Sequence, residues 1–179
     1  MPICCKELAN LFNATFETAE NTVLVATIDE PHYLPRGDNR VANCIFYTKD
    51  SYTSLMHEVA HWCRAGKERR QLPDYGYWYQ AEDRPPEAQA LYLQSESKTQ
   101  ALEWIFCVAA GVNVQIIPEN QPYSFEPSLE FKKSIHAATL NYLQKGLSER
   151  AERFKQVLLT HYRPQVAFDE TLFLFEDLK

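Results

Sequence analysis

The chain has 179 residues, a mass of 20.8 kDa, 45% hydrophobic composition and a formal net charge of -6. That is enough apolar material for one core, so a single compact domain over residues 1–179 is expected. The acidic balance, with a pI near 5.4, argues against direct nucleic-acid binding, and no run approaches the roughly 20 apolar residues that a membrane span needs.

Five cysteines form an odd set, and "MPICCKELANLF" lacks the apolar core and small-residue cleavage site of a signal peptide. Reduced thiols and a cytoplasmic location are the expectation. "CKELANLFNATF" then spaces its apolar residues as an opening amphipathic helix. "NTVLVATID" is short and β-branched, a predicted strand, and the prolines and Gly-Asp-Asn of "EPHYLPRGDN" predict a loop before a second strand at "RVANCIFYT". "KDSYTSLMHEVAHWCRAG" predicts a helix of about 14 residues, capped at Asp50 or Ser51 and closed by Gly66.

"KERRQLPDYGYWYQAEDRPPEA" reads as an ordered loop whose aromatics, Tyr75, Tyr77, Trp78 and Tyr79, line a pocket. "EAQALYLQSESKTQALEWIFCVAAG" is one helix, or two broken at "QSESK", with Gly111 as its stop, and "NVQIIP" reads as a strand or extended stretch. "SLEFKKSIHAATLNYLQKG" and "SERAERFKQVLLTHY" are amphipathic helices meeting at Gly146, followed by an apolar tail that should dock. The predicted class is α/β (α+β), mostly helical with a small early sheet.

The chemistry concentrates in "HEVAH". His57 and His61 are four residues apart, about 40° around a helix axis and one turn along it, so both imidazoles leave the same face and suit one metal ion. The long zinc-peptidase pattern would need glycine at Arg64 and histidine at Lys67, and a three-histidine ribosomal RNA endonuclease pattern fails at the same lysine. A third ligand must come from elsewhere. Glu87, Glu96 and Glu103 are the downstream candidates; Glu96 and Glu103 lie seven apart, close to one helix face, and spacing does not choose between them. His32, His136 and His161 are isolated and read as ordinary surface or core residues. Trp62 and Cys63, pointing away from the histidine face, read as packing residues.

The blocks "HEVAHWCRAGKERRQLPDYGYWY" and "ESKTQALEWIFCVAAG" resemble the elongation factor P hydroxylase family of bacteria, and the similarity runs from about "EPHYLP" to "ERAERF". The resemblance implies a non-haem Fe(II) site of His57, His61 and, at the family's glutamate in "ESK", Glu96. It also implies an α/β fold similar to that endonuclease family, dioxygen as co-substrate, and as partner elongation factor P carrying β-lysyl-lysine, hydroxylated on the lysine part. Two imidazoles and one carboxylate are the ligand set of non-haem iron oxygenases. No signature for 2-oxoglutarate, flavin or pterin identifies the electron donor.

Glu58 then has two roles open to it. In the hydroxylase it orients a ligand or accepts a proton; in the alternative, a zinc hydrolase of the peptidase type, it is the general base that activates water. A long cationic substrate side chain calls for acids and π-faces, for which Asp74, Tyr75, Tyr77 and Trp78 are the substrate-binding candidates. Lys67, Arg69 and Arg70 could dock an acidic protein partner.

Overall fold

A computed structural model describes residues 3–37, 39–76, 85–118 and 126–178. Its contacts gather into two compact units, Met1–Tyr79 and Gln80–Lys179. The chain is mostly helical, with one small sheet near its start.

In the first unit, helix α1 (Cys5–Glu20) leads through Asn21, in the left-handed conformation, into strand β1 (Thr22–Thr27). Strand β2 (His32–Leu34) and strand β3 (Asn43–Thr48) complete a sheet of order β1-β3-β2, with β1 parallel and β2 antiparallel to β3. The register sets Leu24, Ile45 and Tyr33 in one row, all buried. Side chains alternate across a strand, so this row defines the covered face. Helix α2 (Tyr52–Arg64) packs against β3, and its Trp62 meets Phe12 and Phe16 of α1 edge-on at 5.3 and 5.0 Å. Each of these fully buried rings contributes about 1.5–3 kcal/mol through the water it sheds.

β2 lies inside the segment expected to be a loop. Three residues between two prolines carry too little β-signal to read alone, and it is pairing with β3 that extends them. α2 begins at the Ser51 cap, whose hydroxyl accepts from Ser54 N–H at 3.2 Å, and its C-cap is Ala65 rather than Gly66.

In the second unit, helix α3 (Pro86–Ala110) runs unbroken through "QSESK" to Gly111, whose φ of 75° closes it. Ser95, Glu96, Ser97 and Lys98 are all compatible with a helix once its C-terminal half is packed; residues 101–107 are buried without a break. Helices α4 (Leu129–Lys145) and α5 (Glu149–Tyr162) pack on α3, with Phe106 against Phe154 at 5.1 Å. The tail docks through Phe173, which meets Trp104 at 5.2 Å. Residues 113–118, expected as a strand or extended stretch, pair with no strand among the described residues. Gln100 of α3 takes up the main-chain hydrogen bonds of Ile117 that a ladder would have taken. No helix among the described residues is long and apolar enough to cross a membrane.

Candidate metal centre

The apolar residues of α2 decide where its histidines point. Leu55, Met56, Val59, Ala60, Trp62 and Cys63 are buried and fix the inward face, which leaves His57 and His61 half-buried along another. Their Nε2 atoms are 3.1 Å apart, and the rings stand edge to face at 4.7 Å. Two nitrogens each about 2.1 Å from one ion and about 90° apart are about 3 Å from each other. The pair therefore fits adjacent positions on one metal ion, with no change of rotamer needed to bring the nitrogens together. Trp62 and Cys63 take no part, being core residues as the sequence suggested.

Beyond α2 the chain makes a kink that no periodicity foretells. Asp74 (φ 47°, ψ 33°) and Tyr75 (φ 58°, ψ 21°) are both left-handed, at a cost of about 1–2 kcal/mol for each such non-glycine residue. β2 holds them there. The Asp74 carboxylate accepts from Tyr33 N–H at 2.8 Å, the Tyr75 ring stacks on Tyr33 at 4.4 Å, and the Tyr33 hydroxyl donates to Arg70 C=O at 2.8 Å. Tyr75 also lies nearly parallel to His61, with ring centres 6.5 Å apart. It is 4% exposed, yet its hydroxyl has no hydrogen-bond partner among the described residues. Burial first, and the Glu58 carboxylate next, hold its phenol well above the ordinary tyrosine range.

Of the substrate-binding candidates, then, Asp74 and Tyr75 are engaged with Tyr33, while Tyr77 and Trp78 fall outside the described residues. Arg70 is also committed internally. It donates to Ala65 C=O at 3.0 Å, pairs with Glu20 at 3.7 Å and lies over the Trp62 ring. Lys67 and Arg69 remain at the surface, and with His61, Arg64 and Glu68 they line a cavity of about 610 Å³ at the end of α2.

In the second unit, Glu96 and Glu103 are both buried, at 7% and 0% exposure, whereas Glu87 is exposed in the first turn of α3. Glu96 Oε1 accepts from Gln100 Nε2 at 3.2 Å. Gln100 is held in turn by Ile117, donating to its C=O and accepting from its N–H, both at 3.0 Å. A carboxylate fixed by an amide that is itself fixed has one orientation, which is what a metal ligand requires. In the sequence, Gln100 is marked only by its i, i+4 spacing from Glu96. Glu103 lies beside Cys107, and His136, half-buried, has its Nε2 3.2 Å from Phe173 C=O.

A family model described as elongation factor P hydroxylase matches residues 11–173. The chain is 40% identical over 157 residues to the elongation factor P lysine hydroxylase of Haemophilus influenzae, a match covering 88% of each chain. The matched span contains both histidines, the kink and Glu96, and at that identity and coverage the chain belongs to the elongation factor P hydroxylase family.

Proposed function

We propose that this chain hydroxylates the β-lysylated lysine of elongation factor P, with Fe(II) held by His57, His61 and Glu96 and dioxygen as co-substrate. The observation that carries the reading is the 3.1 Å spacing of two imidazole nitrogens in a chain of this family. Glu96 is supported as the third ligand by its place in "ESK" and by the Gln100 amide that orients it. When bound, Fe(II) supplies the activation of dioxygen that oxygen insertion into an unactivated C–H bond demands and no side chain provides.

The chain's own residues have separate tasks in this reading. His57 and His61 present unprotonated nitrogens, and Glu96 offsets part of the ion's charge. Glu58, half-buried beside His57, accepts a proton released at the site. Tyr77 and Trp78 recognise the cationic side chain by cation-π contact, since the Asp74 carboxylate and a face of Tyr75 are taken by Tyr33. Arg64, Lys67 and Arg69 give the partner protein's acidic groups a docking surface. The substrate places the enzyme in the cytoplasm, and neither nucleic acid nor a membrane is needed. The family match favours oxidation over the zinc hydrolysis that Glu58 would serve as general base.

The test is the intact mass of β-lysylated elongation factor P after incubation with the protein, Fe(II), a reductant and air. Gain of one oxygen atom on the modified lysine, lost with His57→Ala, is the expected result. No gain with iron demonstrably bound and a range of two-electron reductants supplied would overturn the reading.

A further inference from the structure

A buried hydroxyl without a partner forfeits its hydration and gets nothing back, so such groups are rare in folded proteins and call for a reason. Tyr75 is such a case, and the chain goes to some length to produce it. Two consecutive non-glycine residues are held left-handed, and the Asp74 carboxylate is committed to Tyr33 N–H to keep them so. Phenylalanine would give the same stacking on Tyr33 without the orphaned oxygen. What the phenol adds is therefore the O–H itself, on a ring that lies close to His61 and within the field of Glu58. Backbone strain and an unsatisfied donor meeting beside a ligand-binding face are the marks of a functional position.

We propose that the Tyr75 hydroxyl donates a hydrogen bond to the small ligand that occupies the metal site beside His57 and His61. The ligand class is a small molecule presenting an acceptor atom, oxygen or an anion, to the ion's open side. Tyr75 is a positioning residue that fixes the orientation of that ligand; it does not bind the metal. The inference rests on the metal site of the proposed hydroxylase and gives it a donor that its ligand set lacks, since neither imidazoles engaged through Nε2 nor a carboxylate offers an O–H. A donor fixed in advance costs nothing to orient when the ligand arrives.

The test uses Tyr75→Phe, Co(II) as a visible reporter in place of iron, and azide as the probe anion. Three quantities are read for wild type and variant: thermal stability without metal, Co(II) affinity, and azide affinity of the Co(II)-loaded protein from its visible spectrum. The expected result is an unchanged or higher melting temperature, Co(II) affinity equal within about twofold, and azide affinity weakened about tenfold, the effect of one lost hydrogen bond to a charged acceptor. Unchanged azide affinity would overturn the proposal. So would a lower melting temperature of the metal-free variant, which would give the hydroxyl a structural role, or a tenfold loss of Co(II) affinity, which would make it a ligand. Wild-type protein that takes up no Co(II) would overturn the metal site and this proposal together, whereas uptake that is lost with His57→Ala leaves the azide result to judge Tyr75 alone.

Discussion

The Gln100 side chain binds Ile117 twice, through its N–H and its C=O, and with the amide hydrogen left over it donates to Glu96. One residue thus ties the segment after α3 to the helix and fixes a buried carboxylate. Gln100→Leu keeps the volume and deletes all of these bonds. The expected cost is about 1–3 kcal/mol, mostly from leaving the part-buried Ile117 groups unpaired, measured by urea unfolding. If Glu96 is the third ligand, the same variant should lose roughly 10–100-fold in metal affinity.

Glu96→Ala and Glu103→Ala separate the two buried carboxylates. Glu96→Ala should abolish Fe(II) or Co(II) binding in equilibrium dialysis, as should His57→Ala. Glu103→Ala should leave stoichiometric binding, with a change in stability instead, because Glu103 is fully buried among the packed residues of α3. The reverse pattern would transfer the ligand role to Glu103.

The histidine pair was legible because it needs only a helix and a four-residue spacing, and the helix announced itself by its cap and its apolar face. Glu96 and Glu103 were not separable on the same logic. Both sit on α3 at nearly one angle, and what distinguishes Glu96 is Gln100, whose own anchor, Ile117, is 17 residues away. β2 and the Asp74–Tyr75 kink were invisible for a related reason. β2 exists through its pairing with β3, and the kink through Tyr33, 41 residues from Asp74, and local propensity carries no record of such contacts. Elements held by their own periodicity could be read; those held by one side chain from elsewhere could not.

That dependence on Tyr33 makes Asp74 a stability residue. Asp74→Ala removes the acceptor for Tyr33 N–H and puts a residue less tolerant of positive φ at 47°, so a loss of about 2 kcal/mol in urea unfolding is expected. Asp74→Asn keeps an acceptor oxygen and a side chain suited to the left-handed region, and should cost less than half as much. Equal losses from the two variants would mean that the carboxylate's charge, and not the hydrogen bond, holds the kink.

Cys107 gives a pH dependence whose sign can be worked out. Its thiol is fully buried in α3, and burial first, then the neighbouring Glu103 carboxylate, push its pKa well above the ordinary value. The neutral form is the one the fold accommodates. The unfolded chain releases this proton at about pH 8.5, whereas the folded chain does not. Stability from this group is therefore complete below the unfolded pKa and declines as pH rises above it. Unfolding free energy measured from pH 7 to pH 10 should fall for the wild type, and the fall should be shallower for Cys107→Ala, whose lower overall stability reflects the lost sulfur contacts. The same burial predicts that a thiol reagent at pH 8 labels the exposed Cys4 in the native protein and reaches Cys63 and Cys107 only after unfolding. Labelling of Cys107 in the native state, or parallel pH curves for wild type and Cys107→Ala, would contradict this account of the α3 interior.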